Sequence, residues 1–380
     1  MMRSFLFSAI SLTIFCLGIV FFFRLIAPTQ ETPIARSQTS AVSIAAPIVA
    51  TTTTSVAATT SAPQPQTAAI KKTKAQTTSA PAEKTVARVQ NPYTTPPLSF
   101  TQVNVAARSA IVNILCQPKN GSMRPISASG VIIDPKGVIL TNAHVGQYVL
   151  LSESSEIDLS CTIRTGSPST PAWKASIIFI PPVWVNEHAP EINVEHPTGT
   201  GEHDYALLAI TGSATGAALP SQFPYISPDT RAAIGFPGDQ VLVASYPAEF
   251  AGGIAAQYGL YANSTVTSIK QLMTFASGTP DVISLGGVIE AQSGSSGGAV
   301  VNAWGKLIGL IATTSEGTTT AARDLRAVSL SYINTDLKTQ SGFDLSTYLG
   351  GDPVGESTDF GAHLAPSLIK EYITVLSAHQ

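Results

Sequence analysis

Three short stretches of this 380-residue chain contain the side-chain types that acyl transfer requires. His144 ends an Asn-Ala-His sequence directly after an apolar run, Asp204 precedes another apolar run, and Ser296 lies in Gly-Ser-Ser-Gly-Gly at 294–298. A serine hydroxyl becomes an effective nucleophile when an imidazole takes its proton, and a carboxylate must orient that imidazole. The order His, Asp, Ser along the chain is one that such triads adopt. We therefore predict that these three residues form a catalytic triad.

The glycines around Ser296 suit a second requirement of the same chemistry. The tetrahedral intermediate of acyl transfer carries a negative oxygen, which backbone N–H groups stabilise. Glycine permits the unusual backbone angles that aim such groups at one point, so we predict an oxyanion hole formed by the amides of Gly294 and Ser296. Taken singly, the three motifs could be a core histidine, a charge at a strand edge and a flexible loop. Their order, each beside an apolar strand, favours catalysis.

The same motifs resemble a known protein family. Residues 129–145, which end in Leu-Thr-Asn-Ala-His-Val, together with His-Asp-Tyr-Ala-Leu-Leu at 203–208 and the motif at 294–298, resemble the bacterial HtrA-like branch of trypsin-like serine proteases. The segment 235–247, which ends in Tyr-Pro, is also similar, and the resemblance extends over residues 98–333. It implies an all-β fold of two perpendicular six-stranded β-barrels, with the active site in the cleft between them.

Two features depart from that family. Ser295 stands before the expected nucleophile, where HtrA-like enzymes have Asn and trypsin has Asp. Trypsin-type activation pairs that Asp with a newly cut N-terminus, so this kind of activation is not expected here. Residues 336–380 are too few for the PDZ modules that follow an HtrA protease domain, and regulation through such modules is not expected either.

The resemblance also suggests where a substrate side chain binds. In trypsin-like enzymes the floor of the specificity pocket lies six residues before the nucleophile, which corresponds to Glu290. A carboxylate there would favour a basic substrate side chain by charge pairing; alternatively, the loop is built differently and Glu290 faces solvent. The wall of the cleft corresponds to Ala312 through Thr314, and these small residues predict an open site.

The N-terminal residues indicate export. Residues 4–23 contain no charged residue and six phenylalanines, and about 20 apolar residues suffice for a helix to cross a bilayer. The run is longer than that of a typical cleavable signal peptide and shows no clean cleavage site. We therefore expect a signal anchor, a transmembrane helix within residues 1–27, with the protease domain in the periplasm or at the cell surface. If the leader is cleaved, the protein is secreted.

The remaining chain divides by composition. Residues 28–97 are dominated by Ala, Thr, Ser, Pro and Gln, and no aromatic residue occurs between Arg24 and Tyr93. Such a segment buries too little apolar surface to fold, which predicts a disordered linker. A protease domain over 98–335 and a helical C-terminal extension over 336–380 follow. The expected strands are 110–116, 130–133, 138–141, 205–210, 240–246, 262–269, 300–301, 307–312 and 327–333.

Charge and composition narrow the set of partners. Charged residues make up 12% of the chain and the net charge is -3, so no basic surface for nucleic acid is expected. His188, His196 and His203 lie among glutamates, but their spacing matches no metal template, and we interpret the segment as a surface loop. No metal or cofactor is expected, and the expected partners are a polypeptide substrate and the membrane.

Cys116 and Cys161 are the two cysteines outside the N-terminal apolar run. Outside the cytoplasm such a pair can form a disulfide bond. They could equally be two separate buried thiols, because sequence does not reveal their geometry.

Two functions are compatible with these observations. The first is an extracytoplasmic serine endopeptidase that forms an acyl-enzyme intermediate. The second is a catalytically silent scaffold with the same fold that binds protein partners. Silent relatives usually lose a triad residue or a motif glycine, and this chain retains all of them, which favours the endopeptidase.

Overall fold

The computed structural model describes residues 92–119, 123–194, 199–232, 234–248, 258–275, 278–315, 317–319 and 321–378. The expected membrane anchor and residues 28–91 of the expected linker lie outside these ranges. Within them, no helix combines the length and the hydropathy needed to cross a bilayer.

The first half of the described chain forms a closed six-stranded barrel. A helix precedes it, α1 (Phe100–Ala110), and the antiparallel strands follow the order β1-β2-β3-β6-β5-β4 around the barrel. The strands are β1 (Ile111–Pro118), β2 (Ile126–Asp134), β3 (Val138–Thr141), β4 (Leu159–Thr165), β5 (Thr170–Phe179) and β6 (Ala206–Ser213). Helix α2 (Ala143–Ser152) follows β3, and helix α3 (Pro182–His188) with a 3-10 turn (Ala189–Glu191) follows β5.

The second half forms a seven-stranded antiparallel sheet in the order β8-β7-β11-β12-β13-β10-β9. Its strands are β7 (Gln240–Ser245), β8 (Asn263–Ser268), β9 (Gln271–Met273), β10 (Val282–Gly286), β11 (Ala299–Asn302), β12 (Leu307–Thr314) and β13 (Leu325–Ser329). The expected all-β architecture of two β-structures is confirmed. In detail, the second differs from the expected six-stranded barrel, because the short strand β9 adds a seventh member. Among the described residues, β8 and β9 remain the two edges of an open sheet.

The C-terminus is helical, as expected. Helices α4 (Leu330–Ser341), α5 (Leu345–Gly350), α6 (Pro353–His363) and α7 (Ala365–Ala378) follow β13. On α7, Leu368 and Tyr372 are buried and belong to the same core cluster as the barrel interior. The expected end of the protease domain at residue 335 lies within α4.

The expected strand at 327–333 is wrong in its second half. Strand β13 ends at Ser329, and α4 begins at Leu330. The hydroxyl of Ser329 accepts a hydrogen bond from the backbone N–H of Tyr332 at 3.1 Å. This hydrogen bond is an N-cap, which stabilises the start of a helix. The second half of the apolar run, which the sequence pattern predicts as a strand, therefore forms the first turn of α4.

The segment before α1 packs on the second sheet. The hydroxyl of Tyr93 donates to Asp229 Oδ2 at 2.6 Å, and its ring lies 5.0 Å from that of Trp304. The backbone N–H of Leu98 donates to Ala303 O at 2.8 Å. The packed domain therefore begins earlier than the expected boundary at Leu98.

Candidate active site

The pairing of two neighbouring strands brings His144 and Asp204 together. Strands β3 and β6 are adjacent, and Thr141 at the end of β3 is the register partner of Ala206 at the start of β6. His144 follows β3 in the first turn of α2, while Asp204 precedes β6. The His144 ring Nδ1 lies 2.8 Å from Asp204 Oδ2, and the His144 backbone N–H donates to Asp204 Oδ1 at 3.0 Å.

The carboxylate of Asp204 is itself buried and oriented. Its side chain is 7% exposed, whereas that of His144 is 31% exposed. The side-chain amide of Asn142 donates to the backbone oxygen of Asp204 at 3.0 Å. Nδ1 of the imidazole thus faces a buried hydrogen-bond acceptor, while part of the ring is exposed to solvent.

Two opposing effects act on the pKa of His144. Burial disfavours the charged imidazolium and alone would lower the pKa. The negative charge of Asp204 and its hydrogen bond favour the imidazolium and together outweigh burial, so the pKa is raised above its ordinary value. This arrangement stabilises the charge that an imidazole acquires when it takes a proton from a nucleophile.

The loop that carries Ser296 is joined to the barrel through Ser129 of β2. The backbone N–H of Ser129 donates to Ser296 O at 2.8 Å. The Ser129 hydroxyl donates to Gly294 O at 2.8 Å and accepts from the backbone N–H of Tyr246 at 2.9 Å. Ser129 therefore connects the barrel with the second sheet at the nucleophile loop.

Gly297 brings this loop against the strand that leads to His144. Its φ is +82°, and a Cβ at this position would overlap Ser129 O and lie 2.5 Å from Thr141 Oγ1. Only glycine allows so close an approach with that backbone angle. Because Thr141 ends β3, the contact places the residue after Ser296 beside the segment that carries His144.

The two amides expected in the oxyanion hole have no acceptor among the described residues. In the part of the chain that the structure describes, neither the N–H of Gly294 nor that of Ser296 donates a hydrogen bond. Gly294 has φ +92°, and a Cβ there would lie 2.8 Å from Tyr246 O. Neither donor is therefore engaged by the described residues, which is one of the conditions that an oxyanion hole must meet.

Ser295 occupies the position where trypsin has Asp. It is 1% exposed, and its hydroxyl accepts a hydrogen bond from Ser245 Oγ of β7 at 3.0 Å. The residue beside Ser296 is thus held by an uncharged bond within the second sheet.

The residues expected to bind substrate lie in different surroundings. Glu290 is fully buried, at 0% exposed, and its Oε1 accepts from Thr265 Oγ1 at 2.9 Å. The alternative that Glu290 faces solvent is therefore wrong. Its second oxygen, Oε2, has no hydrogen-bond partner within the described ranges. Burial raises the pKa of Glu290, and the hydrogen bond from Thr265 opposes that rise. Ala312 is buried and Thr314 is exposed at the end of β12.

The two cysteines of the folded region lie opposite each other. Cys116 of β1 and Cys161 of β4 are register partners in the barrel. Their sulfur atoms are 2.02 Å apart, which is a covalent distance.

The histidines outside the candidate triad have separate partners. The Nδ1 of His188 lies 3.0 Å from Trp184 O, and its ring stacks on that of Trp184. His203 pairs with Asp336 of α4, and His196 lies outside the described residues. A group of His, Cys, Asp and Glu able to hold a metal does not occur in the described ranges.

Sequence reasoning did not assign two residues that hold this site. Ser129 was part of a motif, but nothing local revealed that its hydroxyl would contact Gly294. Asp336 lies far along the chain from Asp204, yet it binds both residues that flank Asp204. Only the folded topology brings such residues together.

Comparison with known proteins agrees with this architecture. Residues 128–310, which run from β2 to β12 and include all three candidate triad residues, match the family described as trypsin-like peptidase domain. A comparison with curated proteins finds no match. Among solved structures, a serine endoprotease from Yersinia pestis is similar, with 20% identity and a TM-score of 0.40 over 65% of this chain and 69% of that one. The part of the chain that carries the candidate triad is therefore similar to a trypsin-like peptidase domain.

Proposed function

We propose that this protein is a serine endopeptidase that acts outside the cytoplasm, with His144, Asp204 and Ser296 as its catalytic triad. The observation that carries the proposal is the pair of hydrogen bonds from His144 to the buried carboxylate of Asp204. The glycine-framed Ser296 loop, packed against β3 through Gly297, supplies the nucleophile for that pair.

In the proposed reaction Ser296 Oγ attacks the carbonyl carbon of the scissile peptide bond. His144 takes the hydroxyl proton, and the amides of Gly294 and Ser296 bind the negative oxygen of the tetrahedral intermediate. The intermediate collapses, the C–N bond breaks, and His144 gives its proton to the leaving amine. A water molecule then attacks the acyl-enzyme while His144 again takes a proton, which releases the acid and restores Ser296.

The proposal also covers the compartment. The uncharged apolar run at residues 4–23 supports an N-terminal membrane anchor, and a linker that ends before Tyr93 would let the domain reach substrates away from the bilayer. A bond between Cys116 and Cys161 fits an oxidising compartment. We therefore propose that the domain lies in the periplasm or at the cell surface. The motifs also favour the HtrA-like branch.

The proposed substrate is exposed or unfolded polypeptide with a basic side chain before the scissile bond. Support for this preference comes from Glu290, six positions before Ser296, whose carboxylate is buried and has one oxygen without a hydrogen-bond partner among the described residues. A buried carboxylate without a cation is costly, and a substrate Lys or Arg that reaches it would offset that cost.

A fluorophosphonate probe tests this function, because it labels only an activated serine. The full-length chain should be labelled and should cleave unfolded casein. Ser296→Ala should abolish labelling and lower kcat about 10⁶-fold. Ser160→Ala, on the exposed side of β4, is the matched control and should behave as wild type. A labelled Ser296→Ala chain would place the nucleophile elsewhere, and an unlabelled wild type would favour the silent scaffold.

A further inference from the structure

A second His–Asp pair lies directly beside the first. His203 Nδ1 is 2.9 Å from Asp336 Oδ2, and the hydroxyl of Tyr205 donates to the same oxygen at 2.9 Å. His203 and Tyr205 are the residues on either side of Asp204. One carboxylate oxygen on helix α4 thus binds both chain neighbours of the candidate catalytic aspartate.

The backbone at this point is strained. His203 has φ +56°, the only positive value for a non-glycine residue in the described ranges. Such a conformation is unfavourable for a residue with a Cβ and persists only where the surroundings hold it. Here the His203 backbone N–H donates to the Tyr332 hydroxyl at 3.2 Å, and the Tyr332 ring packs edge-on against Phe275 at 4.8 Å. Helix α4 therefore contacts the turn at two points, the backbone N–H of His203 and the side chain of His203.

The turn is tight enough for this hold to reach Asp204. The Asp204 N–H donates to Gly201 O at 3.3 Å, and the Tyr205 N–H donates to His203 O at 3.0 Å. A rotation of the His203 backbone would turn the Asp204 side chain away from His144. The two oxygens of Asp204 have different partners on His144, so their orientation matters for both bonds.

The charged groups around His203 are acidic. Asp336 approaches from α4, Glu202 from the same turn at 4.0 Å from Nε2, and Glu187 from α3. The hydrogen bond to Asp336 raises the pKa of His203 above its ordinary value, burial opposes this, and the nearby negative charges add to the rise. The His203–Asp336 ion pair is therefore fully formed below the ordinary pKa of histidine, and it is lost as pH rises through the raised pKa of His203.

We infer that His203 and Asp336 are positioning residues, which orient Asp204 and thereby set the basicity of His144. The inference rests on the proposed function of the site. A simpler role is a link that only fastens α4 to the barrel. In that case, loss of the link lowers stability and leaves the titration of His144 unchanged.

The test compares two substitutions at one position in the full-length chain. His203→Ala removes the donor to Asp336. His203→Asn places an amide N–H where Nδ1 stands and tolerates the positive φ, so it keeps the hydrogen bond without the charge. Asp359→Asn is the control, because it disrupts an exposed His–Asp pair, His363 Nδ1 to Asp359 Oδ1 at 3.1 Å on α6.

Two readouts separate the outcomes. The first is the NMR titration of His144 in chains that also carry Ser296→Ala, and it does not require activity. The second is the rate of fluorophosphonate labelling against pH in chains with Ser296. His203→Ala should lower the pKa of His144 and slow labelling about 10- to 100-fold. His203→Asn should restore most of both, and Asp359→Asn should change neither.

An unchanged titration and labelling rate in His203→Ala, with only a lower Tm, would overturn the inference. If His203→Ala does not fold, Asp336→Asn takes its place, since it keeps the shape and one acceptor oxygen. A shift of the His144 titration in Asp336→Asn supports the inference and no shift overturns it. If wild type is not labelled but the titration shifts, the proposed function fails while the positioning role stands.

Discussion

Asp204 accepts two hydrogen bonds from His144, one from the ring Nδ1 at 2.8 Å and one from the backbone N–H at 3.0 Å. The backbone bond fixes where the carboxylate sits relative to the start of α2. The ring bond fixes which nitrogen of the imidazole carries its proton, so that the opposite nitrogen can serve as a base. One buried side chain thereby controls both the position and the tautomer of His144.

Asp204→Asn should keep the fold and lower kcat about 10⁴-fold near neutral pH, because an amide favours the wrong tautomer of the imidazole. Kinetics on a chromogenic peptide, together with circular dichroism, measure this. Asp158→Asn is the control, since Asp158 lies in an exposed ion pair with Lys119. A loss of only a few-fold in Asp204→Asn would mean that another carboxylate orients His144.

The raised pKa of His144 predicts how activity depends on pH. Only the neutral imidazole accepts a proton, so kcat/KM should fall as pH drops through a value above about 6.5. Stability should respond in the opposite sense. Folding favours the protonated imidazole of His144. Its contribution to the free energy of unfolding is therefore present below the ordinary pKa of histidine and is lost as pH rises through the raised pKa. A pH–rate profile with its acid limb well below 6.5 would contradict the raised pKa.

Gly297 and Gly216 allow a matched comparison, because both have φ +82°. A Cβ at Gly216 would meet nothing within 4 Å, so Gly216→Ala should cost only the backbone strain of about 1–2 kcal/mol. Gly297→Ala should cost more in urea unfolding, because the methyl group would overlap Ser129 O and push the Ser296 loop from β3. Labelling should fall at least about 100-fold in Gly297→Ala alone. Equal effects of the two substitutions would show that the close contact does not position the nucleophile.

Glu290 predicts a preference for Lys or Arg before the scissile bond. Cleavage of a peptide library should show it, and Glu290→Gln should reduce the preference about 10- to 100-fold, the value of a hydrogen bond to a charged group. Because burial raises the pKa of Glu290, the preference should weaken as pH falls through that raised value and the carboxylate is neutralised. Glu356→Gln, on α6, is the control. A library profile without basic residues would assign the buried carboxylate a structural role.

The sequence predicted the strands that carry the candidate triad because they are continuous apolar runs. Strands β3 and β11 are buried along their whole lengths, and turn residues mark their ends. These short-range signals suffice to place a motif at the end of a strand. The residue order then indicated the chemistry without knowledge of the long-range contacts.

Strand β4 shows why other parts were missed. It contains Arg164, which is 1% exposed and whose Nε donates to Asn113 Oδ1 at 2.7 Å. In a hydropathy pattern, a charged residue predicts solvent exposure. Here the hydrogen bond to Asn113 on β1 compensates for the burial of Arg164. The role of Asp336 was equally hidden, because its partners lie over a hundred residues earlier in the chain.

Finally, the protein should be active without processing to a new N-terminus. In trypsin-type zymogens an inserted N-terminal amine must pair with the aspartate beside the nucleophile before the oxyanion loop forms. Here that neighbour is Ser295, which is buried and bonded to Ser245, and a cation brought to it would find no charge to pair with. Ser129 already holds the loop through Gly294 and Ser296. A chain that begins near Gln90 and carries extra N-terminal residues should therefore react with the fluorophosphonate probe as fast as one trimmed to Gln90. If the extended chain stays unreactive until it is cut to one defined terminus, an N-terminal amine completes the site and the loop is not formed by its own packing.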